Sequence, residues 1–219
     1  MSLFTSFGKY RVCHALPLTY GAMSSSGLKK TNFQIMTKDN KQQKPSDSTD
    51  TAIDYSTCYP QFILDACCGG RMFWYEKQNP NCLYMDNREE EKGAFQNNWN
   101  PNWCVKPDLI ADFREMPFKD KHFKLVIFDP PHLTSGSMKS VINKKYGLLN
   151  KETWKEDIVA GFNECWRVLD DYGTLIFKWN EANIKASELI KAFPVKPLFG
   201  DFTGKTGKTV WMTFMKMPV

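Results

Sequence analysis

Phe62-Ile63-Leu64-Asp65-Ala66-Cys67-Cys68-Gly69-Gly70 decides how this chain is read. Its apolar run is short, ends in an acid and passes straight into a turn of small residues, the order expected where a buried strand delivers its end to a ligand. Four runs downstream repeat the first part of the pattern: Cys82-Leu83-Tyr84-Met85, Asp108-Leu109-Ile110-Ala111, Leu125-Val126-Ile127-Phe128 and Thr174-Leu175-Ile176-Phe177. They are continuously apolar rather than alternating, which predicts strands covered on both faces and hence a parallel sheet. Between the last two, Trp154, Ile158, Phe162, Cys165, Trp166 and Leu169 recur every three or four residues. That spacing predicts a helix with one buried stripe, capped at Asn150 and ended before Gly173. Another helix is expected at Arg71 and a further one over Ala182 to Phe193, followed by an antiparallel hairpin from Val195–Phe199 and Thr209–Met215.

The totals bound the rest. A chain of 219 residues, 42% hydrophobic and 14% aromatic, forms one domain with a real core. Met1 to Lys38 holds no acid but carries Lys9, Arg11, Lys29, Lys30 and Lys38, and 39–50 is a polar linker. This resembles a transit peptide, a solvated extension, or a start placed upstream of Met36. Residues 1–52 are therefore expected to be a disordered or loosely ordered extension and residues 53–219 the folded domain. No apolar run approaches the roughly 20 residues of a membrane span, so a cytoplasmic protein is the default expectation. Seven cysteines, without C-x-x-C spacing, suggest neither a zinc cage nor a complete disulfide framework. His14, His122 and His132 form no cluster, so no metal is expected. A formal charge of +5 favours a polyanionic partner.

Ligands of open α/β sheets bind beyond the carboxyl ends of the strands, where the strand order reverses. Asp65, Asp86, Asp112 and Asp129 end four of the predicted strands. The dinucleotide spacing G-x-G-x-x-G is absent, and an acid ahead of the glycine turn would repel a pyrophosphate but suits a cationic ligand. Lys139, Lys144 and Lys145 follow the last of these acids, and Lys205 and Lys208 sit in a Gly-rich turn; both loops are candidates for phosphate contact.

With these residues in place, Phe62 to Lys216 resembles the class I S-adenosylmethionine-dependent methyltransferases, and among them the small DNA amino-methyltransferases common in phages and mobile elements. The resemblance implies a single Rossmann-like α/β domain: a mostly parallel seven-stranded sheet, a C-terminal antiparallel hairpin and helices on both faces. It implies S-adenosylmethionine as cofactor, with Asp65 near the methionine amino group and the turn at Cys67, Gly69 and Gly70 approaching the ligand. Asp86 would accept from the ribose hydroxyls, Asp112 from the adenine amine, and Phe113 would lie against the adenine ring. Ala66 replaces the usual glycine after the first acid, and Cys67-Cys68 replaces smaller residues.

Asp129-Pro130-Pro131-His132 resembles the Asp/Asn-Pro-Pro-aromatic motif of enzymes that methylate exocyclic amines or amides. An aryl amine is a poor nucleophile because its lone pair is delocalised. A carboxylate and a carbonyl, from Asp129 and Pro130, can each accept one N–H and leave the lone pair aimed at the methyl group, while the prolines stiffen the turn. His132 stands where the family has a stacking Tyr, Phe or Trp. The implied acceptor is a nucleic-acid base, adenine N6 or cytosine N4 in DNA. An RNA base, a protein glutamine amide, or a catalytically silent fold that binds nucleic acid or protein are the alternatives. Sequence specificity is expected to be low or to come from a protein partner.

Overall fold

Leu64, Leu83, Met85, Val126 and Phe128, from three of the predicted strands, are all fully buried at the centre of the sheet. The structure, a computed structural model, describes residues 59–93, 101–137, 140–203 and 207–218 together with Ser56 and two strands near the start of the chain. In chain order the elements are β1 (Phe4–Phe7), β2 (Tyr10–Cys13), β3 (Ile63–Asp65), β4 (Cys82–Asp86), β5 (Leu109–Ile110), β6 (Phe123–Phe128), α1 (Val141–Tyr146), α2 (Trp154–Val168), β7 (Leu169–Asn180), α3 (Ala186–Ala192), β8 (Phe199–Thr203) and β9 (Thr209–Met215).

The strands run in the order β1-β2-β5-β4-β3-β6-β7-β9-β8. Pairing from β5 across to β7 is parallel, and β9 and β8 add antiparallel strands at the far edge. The seven strands from β3 to β9 form the mostly parallel, Rossmann-like sheet expected from the sequence. β1 and β2 extend its other edge as an antiparallel pair on β5. Within the extension expected over residues 1–52, the two four-residue strands Phe4–Phe7 and Tyr10–Cys13 find backbone partners on each other and on the edge of β5. The polar linker and the serine run lie outside the described residues.

The order reverses at β3, with β4 and β5 on one side and β6 and β7 on the other. The crossover from β6 to β7 passes through α2, whose buried Ile158, Gly161, Phe162, Cys165 and Val168 follow the predicted stripe. Glu156 and Asp157 in its first turn and Arg167 in its last complement the helix dipole. α3 shares a core with α2 on the same sheet face, where Phe162 stacks on Phe193 at 4.0 Å between ring centres and meets Phe214 edge-on. Among the described residues α2 and α3 both contribute to the core on this face. As a result β7 and β9 alternate in burial, with Leu175, Phe177 and Trp179 inward and Thr174, Ile176 and Lys178 partly exposed.

Four local expectations are corrected. No helix opens at Arg71, because its φ of 52° is left-handed; the chain turns through to β4, and Trp74 packs with Tyr84 on the second face. α2 begins after Thr153 rather than Asn150, whose side chain instead accepts from Glu152 N and shapes the preceding turn. Gly173 does not separate helix from strand: β7 starts at Leu169, and the extra residues bulge out between the pairs Phe123–Leu169 and Leu125–Thr174. α3 is also shorter than predicted, starting where the Glu181 carboxylate accepts from Ala186 N.

Phe162 is the keystone of the helix face. Phe162→Ala is expected to cost about 3–5 kcal/mol in urea unfolding; a loss under about 1 kcal/mol would show that the face collapses around the gap.

Candidate functional site

The strand ends at the reversal point surround a cavity of about 300 Å³. Of the sequence-predicted residues, Cys67, Gly69, Gly70, Asp86, Phe113, Asp129, Pro131 and Lys145 line it. Gly69 adopts a φ of +47°, which turns its N–H onto Asp86 Oδ2 at 2.9 Å. This bond fixes the glycine turn against the end of β4. Gly70 lies against the Trp103 indole, so close that a Cβ there would fall 2.5 Å from Nε1. Phe113 meets Phe128 edge-on and forms part of the wall.

Asp65 does not line the cavity. It is fully buried beneath the turn, where Trp74 Nε1 donates to Oδ2 at 2.7 Å and Cys67 N to Oδ1 at 3.4 Å. Burial pushes its carboxyl up from 3.8 to about 7, against the lowering effect of the Trp74 bond. Asp112 is also outside: Arg114 grips it through the guanidinium and reaches Asp157 as well. Burial would raise Asp112, but the Arg114 hydrogen bonds leave it below the ordinary carboxylate range. Pro130 and His132 lie off the cavity wall, and the His132 ring faces Tyr146 and Trp179 at 6.0 and 6.2 Å. Burial, then the charge of Lys178, lowers its pKa to about 4, so at neutral pH it is an uncharged imidazole. Burial raises the Cys67 and Cys68 thiols far above their ordinary value, which removes thiolate chemistry from the turn.

Three features of the site were not read from the sequence. Lys178, the next residue after Phe177, lies beside Asp129 because Phe177 pairs with Phe128 in the parallel ladder; its Nζ donates to Asp129 Oδ2 at 2.6 Å. Its signal was a lone charge inside an apolar strand. Arg88, two residues beyond Asp86, lies 3.4 Å from Asp86 Oδ1 through Nε and donates to the Lys144 and Lys145 carbonyls. Third, the excursion after the Pro-Pro turn folds back over the cavity. Leu149 N bonds Leu133 O at its base, and Tyr146, Gly147 and Leu148 reach the wall. Gly147 (φ +80°) packs so close to Pro131 that a Cβ would lie 2.9 Å from Cγ.

Each lining carboxylate thus has its own cation, Arg88 for Asp86 and Lys178 for Asp129. Burial raises both acids, and the paired cation opposes that rise. Of the predicted phosphate contacts, Lys145 lines the cavity, Lys144 contributes its carbonyl to Arg88, and Lys208 accepts from Glu181 N through its carbonyl. Lys139 and Lys205 lie outside the described residues. Among the described residues no group of three or more His, Cys, Asp or Glu could hold a metal ion, and no helix is long and apolar enough to cross a membrane.

No protein-family model matches this chain, and no curated protein does. Solved structures do. The PH0226 protein from Pyrococcus horikoshii OT3 aligns over 71% of this chain and 81% of its own, at 12% identity and a TM-score of 0.46. The antibiotic-resistance methyltransferase Kmr covers 71% and 86% at 11% identity and 0.42. A TehB-like SAM-dependent methyltransferase from Corynebacterium glutamicum covers 74% and 84% at 14% identity and 0.40.

The buried Asp65 sets a pH dependence whose sign follows from its raised pKa. Between about pH 4 and 7 the folded chain binds more protons than the unfolded one, so stability falls as pH rises through that window. The urea midpoint of the wild type is expected to drop from about pH 5 to about pH 8 relative to Asp65→Asn. A difference that stays constant with pH counts against burial of a protonated acid.

Proposed function

We propose that this chain transfers a methyl group from S-adenosylmethionine to an exocyclic amino nitrogen, adenine N6 or cytosine N4 of DNA. One observation carries the reading: Asp129, heading the Asp-Pro-Pro turn, lines the same cavity as Asp86 and the Gly69-Gly70 turn. The residues present fit the methyl donor. Asp86 offers a carboxylate at the cavity edge, Gly69 and Gly70 offer backbone with no side chain between it and a ligand, and Phe113 offers an aromatic edge. When bound, S-adenosylmethionine supplies an activated methyl group on a sulfonium.

The chain's own groups orient the acceptor. Asp129 has one oxygen tied to Lys178 and a second free to accept an N–H, which holds the nitrogen with its lone pair directed away from the carboxylate. Forming the N–CH3 bond would break the methyl–sulfur bond of the donor, leaving a neutral thioether and a cationic nitrogen, which would then lose its proton to water on the side of the cavity that stays open, so no strong base is needed. Tyr146, Gly147 and Leu148 close one side and exclude water. A base held in a duplex would first be flipped out at a cost of a few kcal/mol. Lys144 and Lys145, at the end of α1 beside the cavity, suit the flanking phosphates.

The deciding experiment is transfer of tritiated methyl from S-adenosylmethionine into unmethylated DNA, RNA and protein, followed by nucleoside and amino-acid analysis. Label in N6-methyladenine or N4-methylcytosine supports the reading; label confined to RNA or glutamine reassigns the acceptor, and none in any pool overturns it. Asp129→Ala is expected to lower transfer by about a hundredfold or more with little change in donor affinity. Asp86→Ala is expected to weaken donor binding about tenfold or more by calorimetry. An Asp129→Ala protein as active as the wild type would remove that residue from the mechanism.

A further inference from the structure

We propose that Lys178 is a positioning residue of the transfer site: its ammonium holds Asp129 as a carboxylate and ties one oxygen, so that the other is presented to the acceptor nitrogen. The inference rests on the reading of Asp129 as the N–H acceptor and adds a residue that the Asp-Pro-Pro turn does not contain.

The geometry comes from the sheet itself. β6 and β7 are parallel and in register at Phe128 and Phe177, so the next residue of each strand, Asp129 and Lys178, emerges side by side at the carboxyl edge. Nζ and Oδ2 are 2.6 Å apart, and the two side chains are 23% and 22% exposed. Both line the cavity, so the pair is neither a surface ion pair nor a core one. The rings of Phe73 and Trp211 lie 5.3 and 5.5 Å from Nζ and shield it in part from solvent. Partial shielding strengthens the attraction relative to a solvated pair, and the strand backbone fixes the position of the cation.

The chemistry needs that cation. A carboxylate accepts N–H bonds, whereas a protonated carboxyl carries an O–H donor that would oppose the amino group it should hold. Burial works against the ionised form of Asp129, and Lys178 is the charge that opposes burial. The other titratable groups around the pair give no help. Asp65 from β3 repels Asp129 when ionised, the Cys67 thiol of the glycine turn is protonated, and His132 of the Asp-Pro-Pro turn is neutral above about pH 4. Arg88, whose guanidinium also stands on the cavity wall, is committed to Asp86 and to the Lys144 and Lys145 carbonyls of α1.

The test uses the full chain and two independent readouts. Carboxyl carbon-13 NMR, with Asp129 assigned from the signal lost in Asp129→Asn, follows its titration in wild type, Lys178→Met and Lys178→Arg without any ligand. The midpoint is expected to rise by about one pH unit or more in Lys178→Met, and to stay near the wild-type value in Lys178→Arg, which keeps the cation. Methyl transfer to unmethylated DNA is then measured from about pH 6 to 9. Because protonation disables Asp129, the acidic limb of the profile should move upward with the midpoint, so Lys178→Met loses more activity at the lower pH than at the higher, and Lys178→Arg restores the profile. Should Lys178→Met misfold by circular dichroism, Lys178→Gln takes its place. An unmoved Asp129 midpoint, or a loss of activity equal at every pH, overturns the proposal. A wild type that transfers no methyl group to any acceptor, with the midpoint moving as expected, overturns the transferase reading and leaves the electrostatic role of Lys178 standing.

Discussion

The parallel register of β3, β6 and β7 is the constraint on which the site depends. Leu64 pairs with Val126, and Val126 with Leu175, so three strands reach the carboxyl edge together. That alignment sets the Asp65 turn, Asp129 and Lys178 within one neighbourhood, and β4 adds Asp86 from the other side. A slip of one residue in β7 would turn Lys178 to the opposite face, toward the helices, where a charge would be buried without a partner. The buried side chains Leu175, Phe177 and Trp179 hold the register by packing under α2 and α3. The hydrophobic face of β7 thereby fixes the chemistry of its other face.

Electrostatic balance at the rim differs from a simple acidic edge. Four acids end strands or follow them closely, yet Asp65 is buried with a raised pKa, Asp112 is committed to Arg114, and Asp86 and Asp129 each face a cation. The cavity is therefore close to neutral rather than strongly negative. Arg88 has a second task, since its guanidinium ties the carboxylate at the end of β4 to the backbone of α1. The wall formed by Tyr146 and Gly147 is held from within the site, and ligand contact at Asp86 bears directly on the group that holds that wall.

The segment between β3 and β4 shows how a local residue choice reshapes a common layout. A helix there would lay an apolar stripe across the second face of the sheet. Instead Arg71 is left-handed, its guanidinium stacks on Tyr84 and donates to Lys77 O and Lys106 O, and Trp74 anchors to Asp65. Aromatic side chains on turns cover β3 and β4, and Phe73 is left free to reach Lys178.

The strands, the α2 stripe, the glycine turn and the Asp-Pro-Pro turn were legible in the sequence because each is written in neighbouring residues: continuous apolar runs, a repeat of three and four, and residues with special backbone behaviour. The strand pair at Phe4–Cys13 was not, since eight residues without a strong pattern acquire strand structure only by pairing with the edge of β5. The bulge at Gly173 was hidden for a related reason, because it is defined by the residues of β6 that lie opposite. The sequence by itself determined which carboxylates would stand at strand ends. Only the tertiary structure decided which of them face the cavity and which cation each one meets, because Lys178 and Asp129 are 49 residues apart in the chain and are joined by a ladder register that no local pattern encodes.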